Sequence, residues 1–366
     1  MSDINKPSYN LGVMNRPVYR IIDANFNRAR EAIRVIEDFC RFALNCEPLS
    51  RRAKQLRHQL CAAVNTLNMN QLIISRDTIG DVGASRTVDE QLGRSSLDDC
   101  TTAGCKRLTE ALRVLAETTQ ILNPQTARTL ENLRYTAYTL EKDIVAFSRP
   151  SERFKKVGLY VIVSSNLPAE VISLTHKCIA GEADCIQLRA KGLNDDALFS
   201  LAAEFVRICD SAGVISIIND RVDVAVAAGA GGVHLGLNDL PIEQARKLLL
   251  TPLIIGKTTH SPGQLRAACQ QLPAYVSLGP VFSTQTKPDI EVAGLNYVGQ
   301  GLKILADAGI GHVAIGGITP DNIEQVLKAG AQAVAVCSAV ANAADPAAVC
   351  RLLKEKIASF PKTGAV

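Results

Sequence analysis

Leu159-Tyr-Val-Ile-Val163 and Cys185-Ile-Gln-Leu188 are the first two of eight short apolar runs that decide the fold. The others are Val214–Ile218, Gly232–Leu235, Leu253–Gly256, Tyr275–Leu278, His312–Ile315 and Ala333–Val336. Val, Ile and Leu dominate with little polar alternation, the pattern of strands buried on both faces. Helical stretches separate them, among them Asp195–Ala212, Pro241–Leu250, Pro262–Leu272, Pro320–Ala329 and Asp345–Ile357. Ser261-Pro262, Thr319-Pro320 and Asp345-Pro346 read as helix starts. Gly213, Gly229, Gly309 and Gly330 read as stops. Eight such units predict a (β/α)8 TIM barrel in preference to an open doubly wound sheet. Its strands would all present their C-terminal ends to one shared face, where chemistry sits.

Working outward, the chain of 366 residues has room for two domains. Five of the 25 glycines lie in residues 1–150, and twenty in 151–366. Residues 1–150 carry 21 Lys/Arg against 17 Asp/Glu, and residues 151–366 carry 19 against 19. So small and dispersed a surplus gives no reason to expect nucleic acid. The eleven cysteines form no CxxC and no Cys/His cluster at metal-ligand spacing. Cys185, Cys209, Cys337 and Cys350 sit at apolar positions, where a thiol packs as a small hydrophobe. The odd count and the lack of a signal peptide fit a reducing cytoplasm without disulfides. No apolar run approaches the roughly 20 residues that span a bilayer.

Residues 1–150 read as an all-α domain. Phe26, Ala29, Ile33, Ile36, Cys40 and Ala43 fall at helical spacing. Arg30–Asp38 resembles Thr109–Glu117, and Lys54–Arg57 resembles Glu131–Arg134, which predicts a duplicated helical hairpin. Between the copies, Ser75–Arg86 carries Arg76, Asp77, Asp81 and Arg86. It is either a solvated loop bracing the hairpins or an anion-binding loop. Ser148–Lys156 is polar and contains Pro150, so the linker to the second domain, 151–366, is placed there. A regulatory or oligomerising role is expected of the helical domain, with a homo-oligomer as a possible consequence.

The barrel carries the chemistry. Gln187, Arg189 and Lys191 alternate as the second strand ends, so they project to one side of the backbone. An inward Arg and Lys are costly unless they meet an anion at the open end. Asn219 and Asp220 follow the third run, and Asp239 follows the fourth. The two acids either cap the next helices or share a Mg²⁺ beside a substrate phosphate; next to Arg189 and Lys191 the metal reading is favoured. After the sixth run, Thr284, Thr286 and Lys287 form an anion clamp, in a loop long enough for a lid. Gly316-Gly317 after the seventh run, with Cys337-Ser338 after the eighth, suits the barrel phosphate site, with close packing the other reading for the glycines. Two anion sites on one face, without an obvious nucleophile, fit transfer of a group from a diphosphate donor to a phosphorylated acceptor by charge stabilisation and positioning.

The series QLRAK, IINDRVDVA, GVHLG, GPVFSTQTK and AIGGIT, in that order over roughly residues 157–358, resembles thiamine-phosphate synthase. The resemblance implies that hydroxymethylpyrimidine diphosphate and thiazole phosphate, as small-molecule substrates, are joined with release of diphosphate and with Mg²⁺ as cofactor. A pyrimidine cation would form and be captured by the thiazole nitrogen. The resemblance further implies that Gln187, Arg189, Lys191 and Asn219 hold the pyrimidine diphosphate, and that Asp220 and Asp239 bind the metal. Thr258 would stand where the family usually has Ser. Lys287 would contact diphosphate, Thr284 and Thr286 the thiazole phosphate, and Gly316, Gly317 and Ser338 would complete that pocket. Arg189, Lys191, Thr258 and Lys287 would then carry catalysis. The sequence departs from the family at Leu237, Lys257 and Thr258. Two other readings remain: a thiazole tautomerase on the same barrel, and a non-catalytic phosphate-ligand sensor. The helical region resembles an N-terminal extension found on some members.

Overall fold

The computed structural model describes residues 15–83, 93–249, 251–284 and 291–361. The chain divides into two compact units, residues 1–144 and 145–366.

In the first unit, α1 (Arg16–Asp38) continues into a π-turn at Phe39–Ala43. It is followed by α2 (Glu47–Val64), α3 (Met69–Ile74), α4 (Leu97–Thr119) and α5 (Pro124–Phe154). α1 with α2, and α4 with α5, are the two predicted hairpins. Ile22, Phe26, Ala29, Ile33 and Ile36 of α1 are buried, as are Leu108, Leu112 and Leu115 of α4. α1 and α4 pack against each other at Gly104, where even a Cβ would make only ordinary contact with Ala32 O and Ile36, at 3.6 Å. The repeats differ in spacing by two residues, and the π-turn stands in that interval of the first copy, where an extra residue is absorbed. Ser148–Phe154, read above as linker, is instead the last part of α5. Phe154 within it and Phe147 just before it are buried, and their packing outweighs the helix-breaking tendency of Pro150.

In the second unit eight parallel strands close into a barrel in sequence order. They are β1 (Leu159–Ser164), β2 (Cys185–Arg189), β3 (Ile215–Asn219), β4 (Gly232–Leu235), β5 (Ile254–Thr259), β6 (Tyr275–Leu278), β7 (Gly311–Ile315) and β8 (Val334–Val336). The intervening helices are α6 (Pro168–Ala180), α7 (Asp195–Ser211), α8 (Val222–Ala227), α9 (Ile242–Lys247), α10 (Pro262–Gln270), α11 (Gly294–Leu305) and α12 (Ile323–Lys328), followed after β8 by α13 (Ser338–Ala341) and α14 (Pro346–Ser359). Strand residues alternate between two cores. Val161, Ile186, Ile218 and Val233 join helix residues such as Val171, Phe205 and Leu353 in the outer one. Tyr160, Cys185, Ile217, Ile254, Tyr275, Val313 and Ala335 fill the interior, closed by Phe154. Both faces are apolar, which explains why the sequence showed no polar alternation.

Ser261 and Asp345 cap α10 and α14, accepting from Gln264 N and Ala348 N. Thr319-Pro320 does not start a helix. Asn322 bonds Thr319 N and Gly317 O and holds that segment as a turn, so α12 begins at Ile323. All eleven cysteines are free. No helix among the described residues is long and apolar enough to cross a membrane.

Candidate active site

The inward positions of the strands open at their C-terminal ends into one cavity of about 1090 Å³, counted out to its mouth. From β2 and its loop come Gln187, Arg189 and Lys191; from the end of β3 come Asn219 and Asp220. Register explains the first set, because Gln187 and Arg189 lie opposite Ile162 and Ser164 of β1 on the same inward face. Arg189 Nη1 donates to Ser164 Oγ at 3.1 Å. Thr258 enters from β5, Thr284 from the loop after β6, Gly316 and Gly317 from beyond β7, and Cys337 and Ser338 from the end of β8. Thr286 and Lys287, with the centre of the expected lid, lie outside the described residues, as does Arg86 of the first unit.

Asp239 does not line the cavity, yet it reaches the site through Asp220: the two carboxyl groups share a hydrogen bond. Asp239 also accepts from Gly236 N at 2.6 Å, and Lys191 Nζ stands 2.9 Å from Asp220. Neither acid caps a helix; the N-cap positions of α8 and α9 are Arg221 and Pro241, and neither helix has a side-chain cap. Burial alone would raise the Asp220 pKa, but the Asp239 hydrogen bond and the Lys191 ammonium carry it below the usual carboxylate value. Burial and then the Asp220 hydrogen bond hold Asp239 above it. A carboxyl pair forced to share a proton is a natural site for a hard cation, which takes oxygen ligands and displaces that proton.

Asp220 has φ +62°, and Arg221 N donates back to Asn219 O at 2.7 Å, closing a γ-turn. Asp220 N is tied to His234 O at 2.8 Å. Such a strained conformation persists where surrounding structure imposes it. The turn aims Asp220 inward, while Arg221 pairs on the outside with Asp195 and Asp223.

Gly316 and Gly317 have φ +110° and +62°. Cβ atoms there would stand 2.6 Å from Pro280 Cα and 2.5 Å from Ser283 O. Close packing therefore requires glycine at both positions, ligand or not. The same turn lines the cavity from the end of β7, three strands round the barrel from β2, which carries Arg189.

Among the lining residues that escaped the sequence reading are Tyr160, His234 and Tyr275. The available signal was a polar group at an inward position of an otherwise apolar strand. Lys257, next to Thr258, points the other way. Its Nζ donates to Gly236 O at 2.5 Å, and burial lowers its pKa. Gly236 is thus gripped on its carbonyl by Lys257 and on its N–H by Asp239.

The thiamine monophosphate synthase family model matches residues 159–340. A thiamine-phosphate synthase of Nostoc sp. (strain PCC 7120) is 36% identical over 337 residues, covering 92% of this chain and 93% of its own. This chain belongs to the thiamine-phosphate synthase family. Members are transferases, and the similarity runs through the helical unit as well as the barrel. A second thiamine-phosphate synthase, from Synechocystis sp. (strain PCC 6803), is 35% identical over 90% of this chain and 93% of its own. The ThiD2 family model matches residues 20–143, nearly all of the helical unit. The solved thiamine phosphate pyrophosphorylase from Pyrococcus furiosus is 31% identical with a TM-score of 0.52, covering 57% of this chain and 98% of its own. That coverage makes the barrel alone comparable to a whole chain of the family.

Proposed function

We propose that the barrel joins hydroxymethylpyrimidine diphosphate to thiazole phosphate and releases diphosphate. The observation that carries this reading is the meeting of Arg189, Lys191, Asn219 and Asp220 with the Gly316–Gly317 turn and Ser338 on one cavity. The first group suits a diphosphate, the second a monophosphate, and the space between them suits two rings.

Arg189 and Lys191 hold the diphosphate and stabilise the charge that grows on it as the bond to the pyrimidine methylene carbon breaks. Departure of the diphosphate leaves a pyrimidine cation, and the thiazole nitrogen supplies the electron pair that closes the new bond. Gln187 and Asn219 orient the pyrimidine substrate, and Thr258 offers it a hydroxyl. Thr284, Gly316, Gly317 and Ser338 fix the thiazole phosphate on the opposite side, so the reactants meet already aligned. Thr286 and Lys287 join these two groups in the family pattern. Asp220 and Asp239 fit Mg²⁺, being paired oxygen donors. When bound, the ion adds positive charge beside the leaving diphosphate.

The test is diphosphate release by the full chain with both substrates, with and without Mg²⁺. Release that requires both substrates and the metal is expected. Turnover of thiazole phosphate alone, with no diphosphate released, would replace this reading with the tautomerase.

A further inference from the structure

A chain of side-chain hydrogen bonds crosses the barrel interior along the wall of the cavity. Gln187 Nε2 donates to Tyr160 Oη at 2.8 Å, and the Tyr160 and Tyr275 hydroxyls stand 2.9 Å apart. Tyr275 Oη lies 2.9 Å from His234 Nδ1, and His234 Nε2 lies 2.9 Å from Thr258 Oγ1. Five strands contribute one residue each. The packing holds the middle of the chain rigid. Phe154 stacks flat on Tyr275, with ring centroids 3.9 Å apart and planes within 4°. Gly256 leaves the space the ring occupies, since a Cβ there would lie 2.1 Å from Tyr275 Cζ.

The hydrogens can be assigned by counting. A phenol carries one hydrogen and a neutral imidazole carries one. Tyr160 already accepts from Gln187, and among the described residues Tyr275 is the one acceptor in reach of the Tyr160 hydrogen. Tyr160 therefore donates to Tyr275, which donates to His234 Nδ1. With the imidazole neutral, its ring hydrogen then sits on Nε2 and is given to Thr258 Oγ1. The opposite direction would leave the Tyr160 hydrogen without a protein acceptor among the described residues.

We propose that this relay fixes His234 as the Nε2–H tautomer and thereby sets Thr258 as a hydrogen-bond donor aimed into the cavity. With His234 donating to it, the Thr258 hydroxyl keeps its own hydrogen to give to substrate in the cavity it lines. Its hydroxyl is oriented before substrate arrives, so no reorientation is needed during reaction. Tyr160, Tyr275 and His234 act as positioning residues through Thr258. The benefit to catalysis rests on the synthase reading; the tautomer does not.

Two measurements on the full chain test it. ¹⁵N NMR of histidine-labelled, substrate-free protein, with His234 identified by its loss in His234→Gln, should show a bare Nδ1 and a protonated Nε2. Tyr275→Phe keeps the ring stack and should convert that signal to a tautomer mixture. In diphosphate release, Tyr275→Phe should lower kcat about tenfold with little change in KM. Thr258→Ala should cost at least as much, Thr258→Ser should stay within about threefold of the parent, and Tyr275→Phe added to Thr258→Ala should cost nothing more. A protonated Nδ1 in the parent protein overturns the proposal. So does a tenfold cost of Tyr275→Phe that persists without the Thr258 hydroxyl. A chain with no synthase activity overturns the reaction assigned to the cavity, and the NMR result then decides the relay alone.

Discussion

At the scale of single residues, Asp220 and Asp239 are expected to set the site's response to pH. In the metal-free enzyme Asp239 keeps its proton to a higher pH than an ordinary carboxylic acid, because it is buried and bonded to Asp220. A cation needs both groups ionised. As pH falls through the raised value, protonation of the pair competes with the metal, so the Mg²⁺ concentration for half-maximal activity is expected to rise. Asp239→Asn should weaken Mg²⁺ activation and flatten that dependence, measured by metal titration at several pH values. A pH-independent midpoint in the parent enzyme would contradict the assignment. Both acids were visible in the sequence as polar residues after apolar runs. Their hydrogen bond was not, because it depends on the γ-turn at Asp220 and on the grip of Asp239 on Gly236.

At the scale of elements, β5 shows how one strand serves three environments. Gly256 makes room for Tyr275, Lys257 reaches outward to Gly236, and Thr258 faces the cavity. The sequence reading ended this strand at Gly256 and left Lys257, Thr258 and Thr259 to the segment after it. The strand continues to Thr259 because each polar group finds a partner: Lys257 at Gly236 O, Thr258 at His234, and Thr259 at Ser277 O, 2.8 Å away. Hydrogen bonding across strands offset the cost of burying them. Gly256→Ala should destabilise the barrel by about 1–3 kcal/mol through overpacking against the Tyr275 ring. Tyr275→Leu in the same chain should restore part of that loss, whereas denaturant unfolding that leaves Gly256→Ala as stable as the parent would show the ring free to move aside.

For the whole molecule, the division between the units falls within α5, between Ile144 and Val145. The end of that helix belongs to the barrel, since Phe154 lies in the interior core and packs on Tyr275. Phe154→Ala is expected to cost the barrel about 3–5 kcal/mol. A fragment beginning at residue 145 should unfold at higher denaturant than one beginning at 156, and equal midpoints would deny Phe154 this role. The polar run Ser148–Lys156 looked like a linker because its one phenylalanine is outnumbered by charges. Eight apolar runs and the order of the charged motifs determined the barrel, the face that carries chemistry and most of the cavity wall, because strand period and chain direction are local properties. Tertiary structure alone decided what crosses the interior. Tyr160, Tyr275, His234 and Thr258 come from strands as much as 115 residues apart, and only closure of the sheet brings their polar atoms within hydrogen-bonding distance.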